Sequence, residues 1–352
     1  MPAGKSLKVL AWERFRRKKL AMISLVIICA FYLSGIFAGW LSPYDFRTQN
    51  LDNSEQLAWA MGPYCMIATS LNSAYKPAAG VKPPDAQHLL GTDRLGRDLF
   101  TRMLYGIRTS VIVSLASIIT GTLFLGVLLG MMAAYLRGWV DAVIMRVGEV
   151  FLAFPGMLLV ILISATIRER VKEWVVTWEQ ANGTQVFTET GMVDYVVVFG
   201  AMALFGWVGV ARIIRGQILQ MREMEYITAA RAIGASTPTI MRRHILPNLT
   251  NILIYMISAG LGGAVGSELV LSFIGVGVQP PVPSLGVMIF EQTQGQTNFI
   301  EQIGCIRPPM LLAPLMLATV VFFAFALLGD GLIDALNPRS NDKTAGFRQG
   351  LS

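Results

Sequence analysis

EYITAARAIGAST, residues 225–237, interrupts a chain made mostly of uncharged apolar runs. It lies within GQILQMREMEYITAARAIGASTPTIMRRHILPN, residues 216–248. Its arginines Arg222, Arg231, Arg242 and Arg243 together would cost on the order of 12 kcal/mol at a bilayer centre, so the segment is not a span. Residues 217–233 are helix formers, and Gly234 is placed to end that helix in a left-handed conformation that glycine reaches without steric cost. Ser236 or Thr237 is placed to cap a second helix, with Pro238 at its first position. Pro247 marks a break before the next apolar run. The expected product is a helix, a tight turn and a short second helix outside the membrane. Ala229, Ala230, Ala232, Gly234 and Ala235 give it a small-residue surface that a partner's backbone can approach closely. The alternative is a plain connector, which needs neither two caps nor about 30 residues when helix connections typically run about 2 to 8.

Outward from this stretch the chain is greasy. Of 352 residues, 54% are hydrophobic and only 14% charged, against about a quarter charged in soluble domains. Uncharged runs of roughly 17 to 25 residues, long enough to cross the hydrocarbon as helices, recur along its length. Six are expected, at 20–41, 109–136, 147–167, 193–214, 248–275 and 309–333, with Glu149 and Glu268 inside or at the edge of the third and fifth. The fold class is all-α membrane protein. The first apolar run exceeds the roughly 7 to 15 residues of a signal-peptide core, so it reads as an uncleaved helix.

The net charge of +7 reflects topology rather than nucleic acid. Lys5, Lys8, Arg14, Arg16, Arg17, Lys18 and Lys19 all precede the first span, which places the N-terminus in the cytoplasm; anionic lipid headgroups are a further partner for them. Six crossings return Arg339, Lys343 and Arg348 to the same side. The organisation is then a basic N-terminus (1–19), a first transmembrane helix (20–41), an outer loop with an interfacial helix (42–108), a five-helix core (109–335) carrying the 216–247 loop, and a cytoplasmic tail (336–352). Residues 168–192 and 276–308 also face outward, and 137–146 faces the cytoplasm.

Three cysteines are too few for a disulfide framework. Cys29 reads as a small apolar residue in the first span, whereas Cys65 and Cys305 both fall in outer loops, where they are either bridged or two unrelated thiols. In GTDRLGRDLFTRMLYGIRTS (91–110), Thr92 or Asp93 is placed to cap a helix. On it Leu95, Leu99, Phe100, Met103, Leu104 and Ile107 form one stripe, opposed by Arg94, Arg97, Asp98, Thr101 and Arg102. That pattern suits a helix lying in the outer interface, as an anchor or as part of an outer gate. Glu268, a lone acid among apolar residues, reads as an outer-gate or packing residue before a substrate-binding one. Gly126 with Gly130, and Gly262 with Gly266, are spaced for close helix approach.

EYITAARAIGAS followed by RRHILPN resembles the "EAA" cytoplasmic loop of ATP-binding cassette importer permeases. GTDRLGRDLFTRMLYGIRTS, LSFIGVGVQPPVPSLG (271–286) and GDGLIDALNPR (329–339) resemble further stretches of the same family, in its second-permease form from oligopeptide, dipeptide and nickel importers. The resemblance implies a type I importer permease fold with cytoplasmic termini, and a pathway lined together with a homologous permease. It implies two cytoplasmic ATPase subunits that carry ATP and magnesium, and an extracytoplasmic binding protein. The loop would be the coupling helix, with Glu225, Tyr226, Thr228, Ala229, Ala230, Arg231, Gly234, Ala235 and Pro247 at the ATPase. Thr228 stands where the family usually has glutamate; Glu225, one helical turn earlier, is placed to supply the carboxylate. The outer stretches 50–84 and 168–192 look longer than usual for the family, as contacts for the binding protein or as tolerated insertions.

No catalytic constellation is present. The lone GKS at 4–6 lacks the earlier glycine of a phosphate-binding loop. With His88 and His244 as the only histidines, a metal site is not expected. The rival class, an autonomous secondary transporter or channel, would carry buried ionisable groups near the midplane of several spans. Nickel or a glycoside is the alternative cargo to peptides.

Overall fold

A computed structural model describes residues 7–49, 86–93, 95–136, 138–293 and 308–336. Cys65, Cys305, Arg94, the stretch 50–84 and the tail beyond 336 lie outside the described residues, and with them both readings of that cysteine pair. The described chain is helical, with no strand and one isolated bridge between Thr92 and Asp98. In order the helices are α1 (Leu7–Arg17), α2 (Lys19–Ile36), α3 (Ala38–Leu41), α4 (Leu99–Leu136), α5 (Gly138–Leu152), α6 (Gly156–Asn182), α7 (Val186–Glu189), α8 (Met192–Arg222), α9 (Glu225–Ala232), α10 (Thr237–Phe273), α11 (Leu285–Thr293) and α12 (Pro308–Leu336).

Five helices, α2, α4, α8, α10 and α12, are long and apolar enough to cross a membrane. A sixth crossing results if α5 and α6 count as one broken span bent by 84°. The expected straight run 147–167 is therefore corrected. The sterics of the residue before a proline disfavour helical dihedrals, so the helix ends ahead of Pro155 and α6 restarts behind it. The expected outer loop 168–192 is largely helix as well: α6 continues to Asn182, where Gly183 at φ 66° ends it.

α4 is the central element, packed by α2, α8 and α10, while α12 covers α2 and α10. Both small-residue pairs do what their spacing predicts. A β-carbon on Gly126 or Gly130 would lie 2.7 Å from Val210 or from the Ala211 carbonyl of α8, and one on Gly262 would lie 2.7 Å from Phe325 of α12. Helix association in lipid depends on such close packing, because water supplies no driving force there. Between Ile118 and Gly126 α4 widens into π-helical turns, a geometry that recurs at functional sites. Cys29 is exposed on α2 rather than packed inside.

Candidate coupling loop, buried ion cluster and apolar cleft

The 225–247 loop is two-sided. α8 ends at Arg222, and after Glu223 and Met224 the chain restarts as α9. The expected single helix over 217–233 is thus broken at its second turn. Met224 takes an extended conformation at the N-cap, and Glu225 occupies the first turn, where a negative charge suits the helix dipole. The far end follows expectation: Gly234 has φ 82°. Its N–H donates to the Arg231 carbonyl, and the Ala235 N–H donates to the Ala230 carbonyl, the paired closure of a Schellman turn.

Ile227 and Ala230 face inward and join Ile214, Ile218, Ile240, Ile245 and Leu249 in one buried cluster. Arg222 adds a 3.1 Å bond to the Ala134 carbonyl of α4. The opposite face carries Glu225, Thr228, Ala229, Arg231 and Gly234, all exposed, with Tyr226 and Met224 beside them and Ile233 at 86% exposure. Ala235 is half-buried under the turn.

Ser236 is the N-cap of α10, so Pro238 is at its second position; the Ser236 hydroxyl pairs with that of Thr239 at 2.8 Å rather than with a backbone N–H. The expected break at Pro247 does not occur. α10 runs unbroken from Thr237 to Phe273 through π-helical turns over Met241–Ile245. Proline in an α-helix clashes with the carbonyl four residues back, and a wider turn ahead of it gives that carbonyl room. The loop is therefore joined rigidly to α10.

At the other end of α4 the 91–102 segment leads straight into the long helix, which runs from Leu99 to Leu136. Asp98, not Thr92 or Asp93, caps α4, accepting from the Thr101 N–H at 2.7 Å. Asp93 and Arg102 are each only 1% exposed. Asp93 accepts from Arg97 Nε at 2.7 Å, Arg102 Nη1 at 2.6 Å, and the Leu95 and Arg97 N–H groups. Glu291 of α11 closes the cluster, 3.1 Å from Arg97 Nη2 and 2.7 Å from Arg102 Nη1. Asp98 stands apart from this hub and pairs with His88 Nδ1 at 2.9 Å. Far from facing water, the charged face is buried against α11. It ties the start of α4 to a segment almost two hundred residues downstream. Sequence reading missed Glu291 and His88, which carry no local signal.

Glu268 belongs to neither cluster. It is fully buried and accepts from Ser110 of α4 at 2.6 Å and from Ser272 at 2.8 Å, which stitches α4 to α10.

A cleft of about 390 Å³ opens between α4, α6, α8 and α10. Ser117, Thr122, Met157, Met202, Met256 and Ser267 line it with small and apolar neighbours, and no ionisable side chain is among them. Its α4 wall includes Ile118 and Thr122 of the π-helical segment.

Comparison with known proteins places this geometry. The profile of the binding-protein-dependent transport system inner membrane component matches residues 126–342, and that of the N-terminal transmembrane domain of oligopeptide transport permease C matches residues 6–60. The oligopeptide transport system permease protein OppC of Bacillus subtilis is 31% identical over 94% of this chain and 88% of its own length. The dipeptide transport system permease protein DppC of the same organism is 32% identical over 94% and 85%. The glutathione transport system permease protein GsiD of Pectobacterium atrosepticum is 31% identical over 93% and 90%. With its membrane-crossing helices, its open-faced loop and matches along nearly its whole length, this chain belongs to the family of inner-membrane components of binding-protein-dependent transport systems.

Proposed function

We propose that this chain is a permease subunit of an ATP-driven importer of peptides. It pairs with a homologous permease around the 390 Å³ cleft. Two cytoplasmic ATPase subunits supply ATP and magnesium chemistry, and an extracytoplasmic binding protein delivers cargo. The relatives named for oligopeptides, dipeptides and glutathione support the substrate class. Both termini face the cytoplasm in this reading, supported by the basic residues ahead of α2.

The observation that carries the coupling role is the two-sided loop. Its outer face leaves Ile233 at 86% exposure, which a partner's cleft would cover, while its inner face is sealed onto α8 and α10 by Ile227 and Ile240. A push on that face moves two spans together, because close-packed interiors transmit strain rather than absorb it. Both spans border the cleft. The cleft's lack of ionisable side chains favours a conduit worked from outside over a secondary transporter driven by buried charges. Reconstitution tests this: peptide uptake into vesicles should require the ATPase subunits and ATP. Uptake by this chain without them would make it an autonomous carrier.

A further inference from the structure

The groove between the start of α2 and the end of α12 lies apart from the loop, the buried ion cluster and the cleft. The two helices run antiparallel, with Lys18 bonded to Asp334, Ala21 against Gly331 and Tyr32 against Phe325. At their joined ends is a cavity of about 310 Å³, bordered by Lys18, Lys19 and Leu20 on one side and Leu327, Asp330 and Asp334 on the other. Lys18 and Asp334 satisfy each other. Lys19 and Asp330 form no ion pair among the described residues, so one cation and one anion border the same cavity unused.

The faces that carry these charges continue as grease. On α12, Phe323, Leu327, Asp330 and Asp334 follow helical spacing along one stripe, with Phe323 at 66% exposure. On α2, Lys19, Ile23 and Val26 do the same, with Ile23 and Val26 both exposed. Both helices are long and apolar enough to cross a membrane, so acyl chains cover the apolar stretches and the charges stand where headgroups begin. An anionic headgroup would use Lys19 and meet Asp330 unfavourably; a balanced pair fits a zwitterion.

We propose that this groove binds a phospholipid whose headgroup carries a primary ammonium, with its phosphate on Lys19 and its ammonium on Asp330. A primary ammonium donates three hydrogen bonds, whereas the quaternary ammonium of phosphatidylcholine has none to donate, and phosphatidylglycerol carries no cation.

The test is native mass spectrometry of the full chain purified from membranes in mild detergent, with phosphatidylethanolamine, phosphatidylcholine or phosphatidylglycerol added singly. The ethanolamine lipid should be retained about five-fold over the other two, the ratio expected of one partly exposed ion-pair contact. Lys19→Ala combined with Asp330→Asn should reduce its retention to the level of the others, while Lys19→Arg should keep the preference. Equal retention of phosphatidylcholine would mean an unselective lipid shell, and equal retention of phosphatidylglycerol an anion site. Either outcome overturns the proposal, as does a preference that survives in the double variant. If that variant fails to elute as folded protein, the lipid series on the unaltered chain decides alone.

Discussion

The loop at 225–247 and the segment at 91–102 look alike as sequences. Each is a charged, helix-forming stretch flanking an apolar span. In three dimensions they are treated in opposite ways. The loop keeps its charges outside and buries Ile227 and Ala230 against the spans. The 91–102 segment buries Asp93, Arg97, Asp98 and Arg102, with Asp93 and Arg102 almost fully enclosed and closed off by Glu291. A charged helical face is therefore left open or made into an internal clamp according to what a distant part of the chain brings to it. A buried charge is tolerable only with partners of the opposite sign and enough hydrogen bonds.

This contrast is open to attack from its strongest side first. Arg102→Ala leaves Asp93 and Glu291 short of a buried cation and should cost about 3 to 5 kcal/mol, read as loss of folded protein in detergent and a lowered unfolding temperature. Near-normal stability would mean that the cluster is hydrated rather than enclosed. Ile227→Ala removes a wholly buried side chain from beneath the loop and should cost about 2 to 5 kcal/mol, with ATP hydrolysis in the assembled transporter uncoupled from uptake. Full stability and full coupling there would show the loop to be loosely attached.

Ile233→Asp inverts the second prediction. Because Ile233 touches little within the chain, the fold should shift by no more than about 0.5 kcal/mol, while co-purification of ATPase subunits falls about ten-fold. A folding defect with intact ATPase binding would move the docking face elsewhere. The smallest effect concerns Thr228, which stands where the loop it resembles is expected to carry glutamate. Glu225→Ala should weaken ATPase docking by about 0.3 to 1 kcal/mol, and Thr228→Ala by less. The reverse order in a pull-down would show that Glu225 does not compensate.

Much of the fold was legible because the membrane imposes length and polarity rules that single runs of sequence obey. Five of the expected spans correspond to helices long and apolar enough to cross, and the glycine pairs mark contacts they do make. Gly234 announces its turn because few other residues take φ 82° without strain. Where reading failed, the missing information was non-local. The stripe of Leu99, Met103 and Ile107 opposed by Arg97, Thr101 and Arg102 signals two unlike faces; it does not say that α11 covers the polar one. Pro247 signals a break when read alone, yet π-helical turns ahead of it keep α10 continuous. Pro155, with no such relief, does break its helix, and the bend there is 84°.

By itself, the sequence determined that the chain is a bundle of membrane-crossing helices, that one charged loop stands outside it, and where that loop turns. These follow from transfer free energies and backbone sterics, which act residue by residue. Only the tertiary structure decided which charges are enclosed, how Glu268 is satisfied by buried serines, and which helices enclose the cleft. Those outcomes depend on pairing side chains far apart in the chain, and no local pattern encodes the partner.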